Sequence, residues 1–310
     1  MPPGESADAG KRRLVIAACV IALSAPQLLG QGAQGQAGTL DRIRHASQTK
    51  VGYHIDARPF SYRGESGQPT GYAVALCQEV VSAVQREPGL AGTATTWIPV
   101  TDGRALEQGQ VDLLCGPETV TLTKRATISF SIPIFPGGTG VLVRADAPAR
   151  LQEVLSGRGQ TFRPTWRASA LQVLQSRAFS AVDGTASGRW LTERVRDLQV
   201  IADVSLASDY DKAVQALLDR RSDALFGERA VLLDTARNQP AGRLRVLPHQ
   251  FTYEPIGLAF ERGDEEFRLL VDRALSRLYS SGAIGGLYTK WFGEPDEMTL
   301  AFFRWNTLLD

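Results

Sequence analysis

Apolar positions along this chain fall into two alternating rhythms. Short runs such as 50–54, 95–100 and 111–115 read as buried strands. Between them, Ala73, Leu76, Cys77, Val80, Val81 and Val84 share one helical stripe. Residues 58–62, with Pro59, predict a hairpin-like segment closed by a loop at 64–71, and 104–108 predicts a short helix. A second series follows: strands at 180–182, 200–202 and 223–226, a helix at 190–196, and a helix bearing Val214, Leu217 and Leu218 that starts at a capping box, Ser208 with Asp211. A strand at 253–260 comes next. Phe267, Leu270, Val271, Ala274, Leu275 and Leu278 then mark a long amphipathic helix stopped by Gly282, and Ile284, Leu287, Tyr288 and Trp291 mark a shorter one. Strands alternating with helices predict mostly parallel sheets covered on both faces. Residues 158–174, with Pro164 and Trp166, do not fit the rhythm and read as an insertion.

Composition adds an address. The 310 residues are 43% hydrophobic and 22% charged, with a formal net charge of +1. That is enough for a sizeable core, and length allows two domains. The near-neutral charge gives no electrostatic case for nucleic acid. Lys11, Arg12 and Arg13 precede an apolar run at 14–23, and Gly35-Gln36-Ala37 fits a small-x-small cleavage site. Residues 1–37 therefore read as a secretory signal peptide. Cys19 ends a lipoprotein-like box, but the apolar core between Arg13 and Cys19 is too short for one. Cleavage would leave Cys77 and Cys115, either a disulfide or two buried thiols.

Residues 111–135 carry the densest candidate chemistry. A buried strand breaks into Gly116-Pro117, then Thr119, Thr121 and Thr123, then the adjacent cations Lys124 and Arg125. A strand end that presents amides, hydroxyls and positive charge suits a small carboxylate. The three histidines, His45, His54 and His249, lack metal-ligand spacing, and no C-x-x-C, G-x-S-x-G or H-E-x-x-H motif occurs. Neither a metal nor another cofactor is predicted.

This segment resembles the "DL-x-x-x-G-x-T-x-T-x-x-R-x-x-x-x-x-FS-x-P" signature of family 3 extracellular solute-binding proteins, the amino-acid receptors of bacterial ABC importers. Residues 50–60, 71–80, 182–185, 220–228 and 282–293 resemble further motifs of that family, in its order. The resemblance implies a periplasmic-binding-protein-like α/β fold: two α/β lobes joined by two hinge strands, with the ligand in the cleft. It places lobe 1 at 38–137 and 254–310, with an extension after Gly293, and lobe 2 at 138–253. Gly137, Gly138 and Gly140 suit a hinge. It also implies a monomeric periplasmic receptor that delivers an amino acid to an ABC permease without doing chemistry. The alternative within the family is a cyclohexadienyl dehydratase-like enzyme.

The resemblance further implies a ligand set. The carboxylate-binding cation falls on Lys124 or on Arg125. Thr119 and Thr121 supply hydroxyls, Phe60 an aromatic wall, and Thr185 with the Ala186 amide the second-lobe carboxylate contacts. Glu228 stands where the family usually has an Asp that receives the ammonium. Arg104 stands where the acidic-amino-acid branch contacts a side-chain carboxylate, and His54 and Asp56 lie near side-chain contacts of other branches.

Overall fold

The computed structural model describes residues 38–101, 104–157 and 172–309. Residues 1–37, read above as a signal peptide, and 158–171, most of the expected insertion, lie outside the described residues. The first lobe opens with helix α1 (Thr39–Ala46) and strand β1 (Gln48–Tyr53). A small antiparallel sheet of β2 (Asp56–Ala57), β3 (Ser61–Arg63) and β4 (Pro69–Thr70) precedes helix α2 (Tyr72–Val84). Then come β5 (Ala94–Pro99), the short α3 (Arg104–Glu107), β6 (Leu113–Thr119), a 3-10 turn at Lys124–Ala126, β7 (Ile128–Phe130) and β8 (Phe135–Gly137). The second lobe holds β9 (Thr139–Arg144), α4 (Ala149–Leu155), β10 (Ala178–Val182), α5 (Ala186–Asp197), β11 (Asp203–Ala207), α6 (Tyr210–Leu218), β12 (Ala224–Glu228), α7 (Arg229–Asn238) and β13 (Leu244–Val246). The chain returns through β14 (Glu254–Glu261) to α8 (Glu265–Ser280), α9 (Ala283–Phe292) and α10 (Glu297–Asn306).

Two sheets result. The first runs β5-β1-β6-β14-β7, with β8 also pairing β14; the second runs β11-β10-β12-β9-β13. β1 pairs in parallel with β5 and β6, whereas β14 is antiparallel to β6, β7 and β8. Leu113, Leu114 and Cys115 are all buried because helices or loops cover both faces of β6. Cys77 of α2 and Cys115 of β6 form a disulfide, with Cα atoms 6.2 Å apart, that fastens the covering helix to the central strand.

Three local expectations are corrected. The cap of α6 is Asp209, not Ser208: its carboxylate accepts the Lys212 amide at 2.8 Å. The strand expected at 200–202 lies instead at Asp203–Ala207, because Gln199 turns left-handed (φ 54°) and β11 pairs in register with Ala178–Val182 only from Asp203 onward. Helix α5 starts at Ala186, four residues earlier than the apolar stripe indicates, because Thr185 caps it.

The chain changes sheets twice, at Gly137–Thr139 and between Val246 and Glu254. The crossings are bound side by side. The Thr139 amide donates to Thr252 Oγ at 2.8 Å, and the Gln250 amide group donates to the carbonyls of Pro136, at 3.1 Å, and Gly137. Gly138 has φ 128°, and a Cβ there would lie 2.2 Å from the Thr252 carbonyl oxygen, so only glycine fits this crossing. The C-terminal extension joins the structure as α10. Phe302 and Phe303 pack into the first-lobe core, and Asp296 accepts from the guanidinium of Arg229 at 3.1 Å.

Candidate ligand-binding cleft

The carboxyl ends of β1, β6, β10 and β12 carry the candidate chemistry, as open α/β sheets favour. On the second lobe, Thr185 is the N-cap of the twelve-residue α5: its hydroxyl accepts the Gly188 amide at 3.0 Å and donates to the Val182 carbonyl at 2.6 Å. The amides of Ala186 and Ser187, at the first turn, have no acceptor within the helix and form its positive end. Ser187 is buried and its hydroxyl lies 3.0 Å from that of Thr139.

Glu228 ends β12 and stands at the N-cap position of α7. Its two carboxylate oxygens accept the Gly138 amide at 3.1 and 3.2 Å, and its own amide donates to the Tyr210 hydroxyl at 3.2 Å. No described cation pairs with it. The adjacent Arg229 points away, donating to the Leu247 carbonyl at 3.0 Å and to Asp296. Burial raises the Glu228 carboxyl to about 7, with added repulsion from Glu254 and against hydrogen bonding from Gly138 and a weaker attraction from Arg229.

The first lobe offers a different arrangement from the one expected. Lys124 Nζ lies 2.8 Å from Glu118 Oε2, and Glu118 Oε1 lies 3.2 Å from His54 Nε2. Burial pushes the Glu118 carboxyl up, but hydrogen bonds from His54 and Lys124 outweigh it and hold the group below the usual range. Gly116 makes this possible, since a Cβ there would stand 2.4 Å from His54 Cδ2. Thr119 ends β6 half-buried, and the exposed Thr121 accepts the Lys124 amide at 3.2 Å. Arg125 is exposed on the 3-10 turn, and Arg104 is exposed at the start of α3.

Phe60 departs from the aromatic-wall expectation. It is 2% exposed and sits edge-on to Phe135 at 5.2 Å within a core of aromatic rings that includes Tyr72 and Phe292. Its ring has no free face for a ligand. The chain from Pro59 to Gly71 buries it, with the Tyr72 and Ala73 amides donating to the Pro59 and Phe60 carbonyls.

Both sets of groups converge on the crossings. The Val120 amide, just after Thr119, donates to the Pro255 carbonyl at 2.8 Å, one residue from Glu254, which in turn repels Glu228. A cavity of about 720 Å3 lies elsewhere, between α10 and residues 248–253, and is lined by none of the predicted ligand residues. Sequence reasoning overlooked Glu118 and Tyr210. The first sits between Pro117 and the Thr run, and only the room left by Gly116 reveals its partner.

Comparison with known proteins agrees with this architecture. Residues 49–294 match the family described as bacterial extracellular solute-binding proteins, family 3. The chain belongs to this family. Its relatives include an L-glutamate/L-aspartate-binding protein of Pseudomonas aeruginosa, 28% identical over 83% of this chain and 81% of that one. An L-cystine-binding protein of Escherichia coli is 24% identical over 83% of this chain and 86% of its own length. Among solved structures, an ancestral cationic amino acid solute-binding protein superposes with a TM-score of 0.62 at 24% identity, covering 82% of this chain and 99% of that one. A polar amino acid uptake binding protein of Streptococcus thermophilus gives 0.66 at 16% identity, covering 86% and 92%. These structures show the fold shared by this solute-binding protein; its ligand is a separate question.

Proposed function

We propose that this solute-binding protein captures a free amino acid, or a closely related small zwitterion, and delivers it to the permease of an ABC importer, acting as a periplasmic monomer that does no chemistry. One observation carries the reading. The positive end of α5, at Thr185 and the Ala186 amide, lies on the same lobe as the acid Glu228, which forms no salt bridge among the described residues, and both stand at strand ends beside the crossings. A helix terminus suits a carboxylate and an unpaired buried acid suits an ammonium. Lys124 can add to the carboxylate site from the first lobe, because an ammonium has three donors and Glu118 takes one. Arg125 stands beside it in the chain, and Thr119 ends the strand that leads to it. Relatives named for glutamate, aspartate, cystine and glutamine binding support the same ligand class.

The test is a thermal-shift screen of the purified protein against the standard amino acids and cystine, followed by calorimetry on each hit. A ligand at one hundred times its Kd should stabilise the fold by about 2.7 kcal/mol. A flat screen refutes the reading, and turnover of prephenate or arogenate would replace it with the dehydratase.

A further inference from the structure

The acid placed to receive the ligand's ammonium has a cation as its neighbour in the chain, and the fold turns that cation away. Both oxygens of Glu228 accept the Gly138 amide, at 3.1 and 3.2 Å. Arg229 takes the other direction. Its stem packs on β9 at Gly140, where a Cβ would lie 3.3 Å from the Arg229 Cβ. Its guanidinium donates to the Leu247 carbonyl at 3.0 Å and to Asp296 Oδ2 at 3.1 Å. Arg229 is 6% exposed, so its charge needs an acid close by. Glu228 could be that acid, since it is adjacent and already attracted by Arg229. The described charged groups that act on Glu228 are Glu254, which repels it, and Arg229. The Tyr210 hydroxyl and the Gly138 and Ala230 amides are its uncharged neighbours.

The acid that Arg229 meets instead comes from outside the residues that match the family. Asp296 stands at the N-cap of α10, just beyond the match at 49–294. Its Oδ1 accepts the Thr299 amide at 2.8 Å and the Thr299 hydroxyl at 2.7 Å. Phe302 and Phe303 of the same helix are set in the first-lobe core. One oxygen of Asp296 is thus fixed to α10, and the other holds Arg229 from a rigid place. A pair between Arg229 and Glu228 would oblige an incoming ammonium to displace a guanidinium, which is weakly hydrated and well shaped for carboxylates. We propose that Asp296 is a positioning residue for ligand recognition: it holds Arg229 at the C-terminal extension and so keeps Glu228 unpaired for the ligand's ammonium. This rests on the amino-acid reading above. The extension then acts on the ligand without touching it.

The experiment compares wild type, Asp296→Ser and the double variant Arg229→Met/Asp296→Ser. Ser keeps an oxygen to cap α10 but has no second one for Arg229. The first readout needs no ligand. The side-chain carboxyl 13C resonance of Glu228, assigned by its loss in Glu228→Gln, is followed against pH. Its midpoint should lie at about 7 in the wild type and about one unit or more lower in Asp296→Ser, because a facing cation favours the ionised acid. The second readout is calorimetry at pH 8 with L-glutamate, L-glutamine, L-cystine and the other standard amino acids, following the tightest binder. Asp296→Ser should weaken it at least about tenfold. The double variant removes the released cation and should recover most of that loss. A midpoint in Asp296→Ser within about 0.3 units of wild type overturns the proposal, as does an affinity within about twofold. An affinity that falls in Asp296→Ser and is not recovered in a folded double variant also overturns it, in favour of a structural role for Asp296. If the double variant does not fold, the midpoint in Asp296→Ser decides. An unmoved midpoint with intact amino-acid binding sinks this inference alone, whereas a wild type that binds no amino acid sinks the functional reading and the inference with it.

Discussion

Glu228→Gln should make this protein more stable at neutral pH while impairing binding. The carboxyl is raised from 4.5 to about 7, chiefly by burial. Below about pH 4.5 it is protonated in both folded and unfolded chains, and its full contribution to stability is present. Between 4.5 and 7 the unfolded chain releases the proton first, so stability falls as pH rises through the folded value. The whole difference corresponds to about 3 kcal/mol, since each pH unit is worth about 1.4 kcal/mol. Gln does not titrate, yet its side-chain oxygen can still accept the Gly138 amide that Glu228 holds at 3.1 Å. Other buried acids, Asp112 and Asp272 among them, also titrate upward of the usual range, so the wild-type pH profile alone is not diagnostic. The difference between variant and wild type cancels them. Urea denaturation at pH 5, 6, 7 and 8 should show Glu228→Gln gaining on the wild type by about 2–3 kcal/mol across that range. A constant difference between the two proteins, or one that moves the other way, refutes the reasoning. The same variant should bind the amino-acid ligand at least thirtyfold more weakly at pH 8, because losing the partner of a desolvated charge costs about 2–5 kcal/mol.

Two further outcomes test the frame around the site. Gly138→Ala places a Cβ 2.2 Å from the Thr252 carbonyl oxygen at φ 128° and should destabilise the fold by more than about 2 kcal/mol, read as a lower urea midpoint. Reducing the Cys77–Cys115 disulfide, which closes a sequence separation of 38, should cost about 3–4 kcal/mol; an unchanged midpoint with and without reductant would count against the bridge.

Much of the fold was legible because its signals are local. The run at 111–115 reads as a fully buried strand, and β6 is one, since burial on both faces removes the need for polar alternation. The stripe from Ala73 to Val84 is helix α2, and Gly282, with φ 77°, stops the long helix as glycine after a helix does. Gly138 could be named as a hinge residue from sequence. The reason only glycine fits there, the Thr252 carbonyl, comes from a segment more than one hundred residues away in the chain. The site was less legible for the same reason. Lys124 was readable as a cation after a Thr run, but its pairing with Glu118 depends on the rotation of two side chains at a strand end and on His54 filling the space over Gly116. Phe60 looked like a wall because an aromatic after Pro59 is equally compatible with core and cleft. Packing against Phe135 and Tyr72 decides it.

The position of Glu228 also suggests how a ligand would change the shape of the protein under the amino-acid reading. The acid touches one crossing directly, through the Gly138 amide, and is repelled by Glu254 at the start of β14, where the other crossing ends. Without a ligand its ionised form is buried, repelled by Glu254 and paired with no described cation, so the ligand-free protein carries an electrostatic penalty beside the crossings. An ammonium placed beside Glu228 removes that penalty and does so only when the cleft is dry enough for the pair to be strong. The relief is therefore larger in the closed arrangement than in the open one, which is the differential affinity that a population shift requires. Binding and closure then become one event with a proton signature. Because the ligand selects the ionised carboxyl, it should expel a proton on binding below about pH 7, and its affinity should rise toward that pH and level off above it. Calorimetry in two buffers of different ionisation enthalpy reads the proton directly: release that disappears in Glu228→Gln, measured at ligand concentrations that saturate the weaker variant, places the coupling at this residue, and release that persists there places it elsewhere.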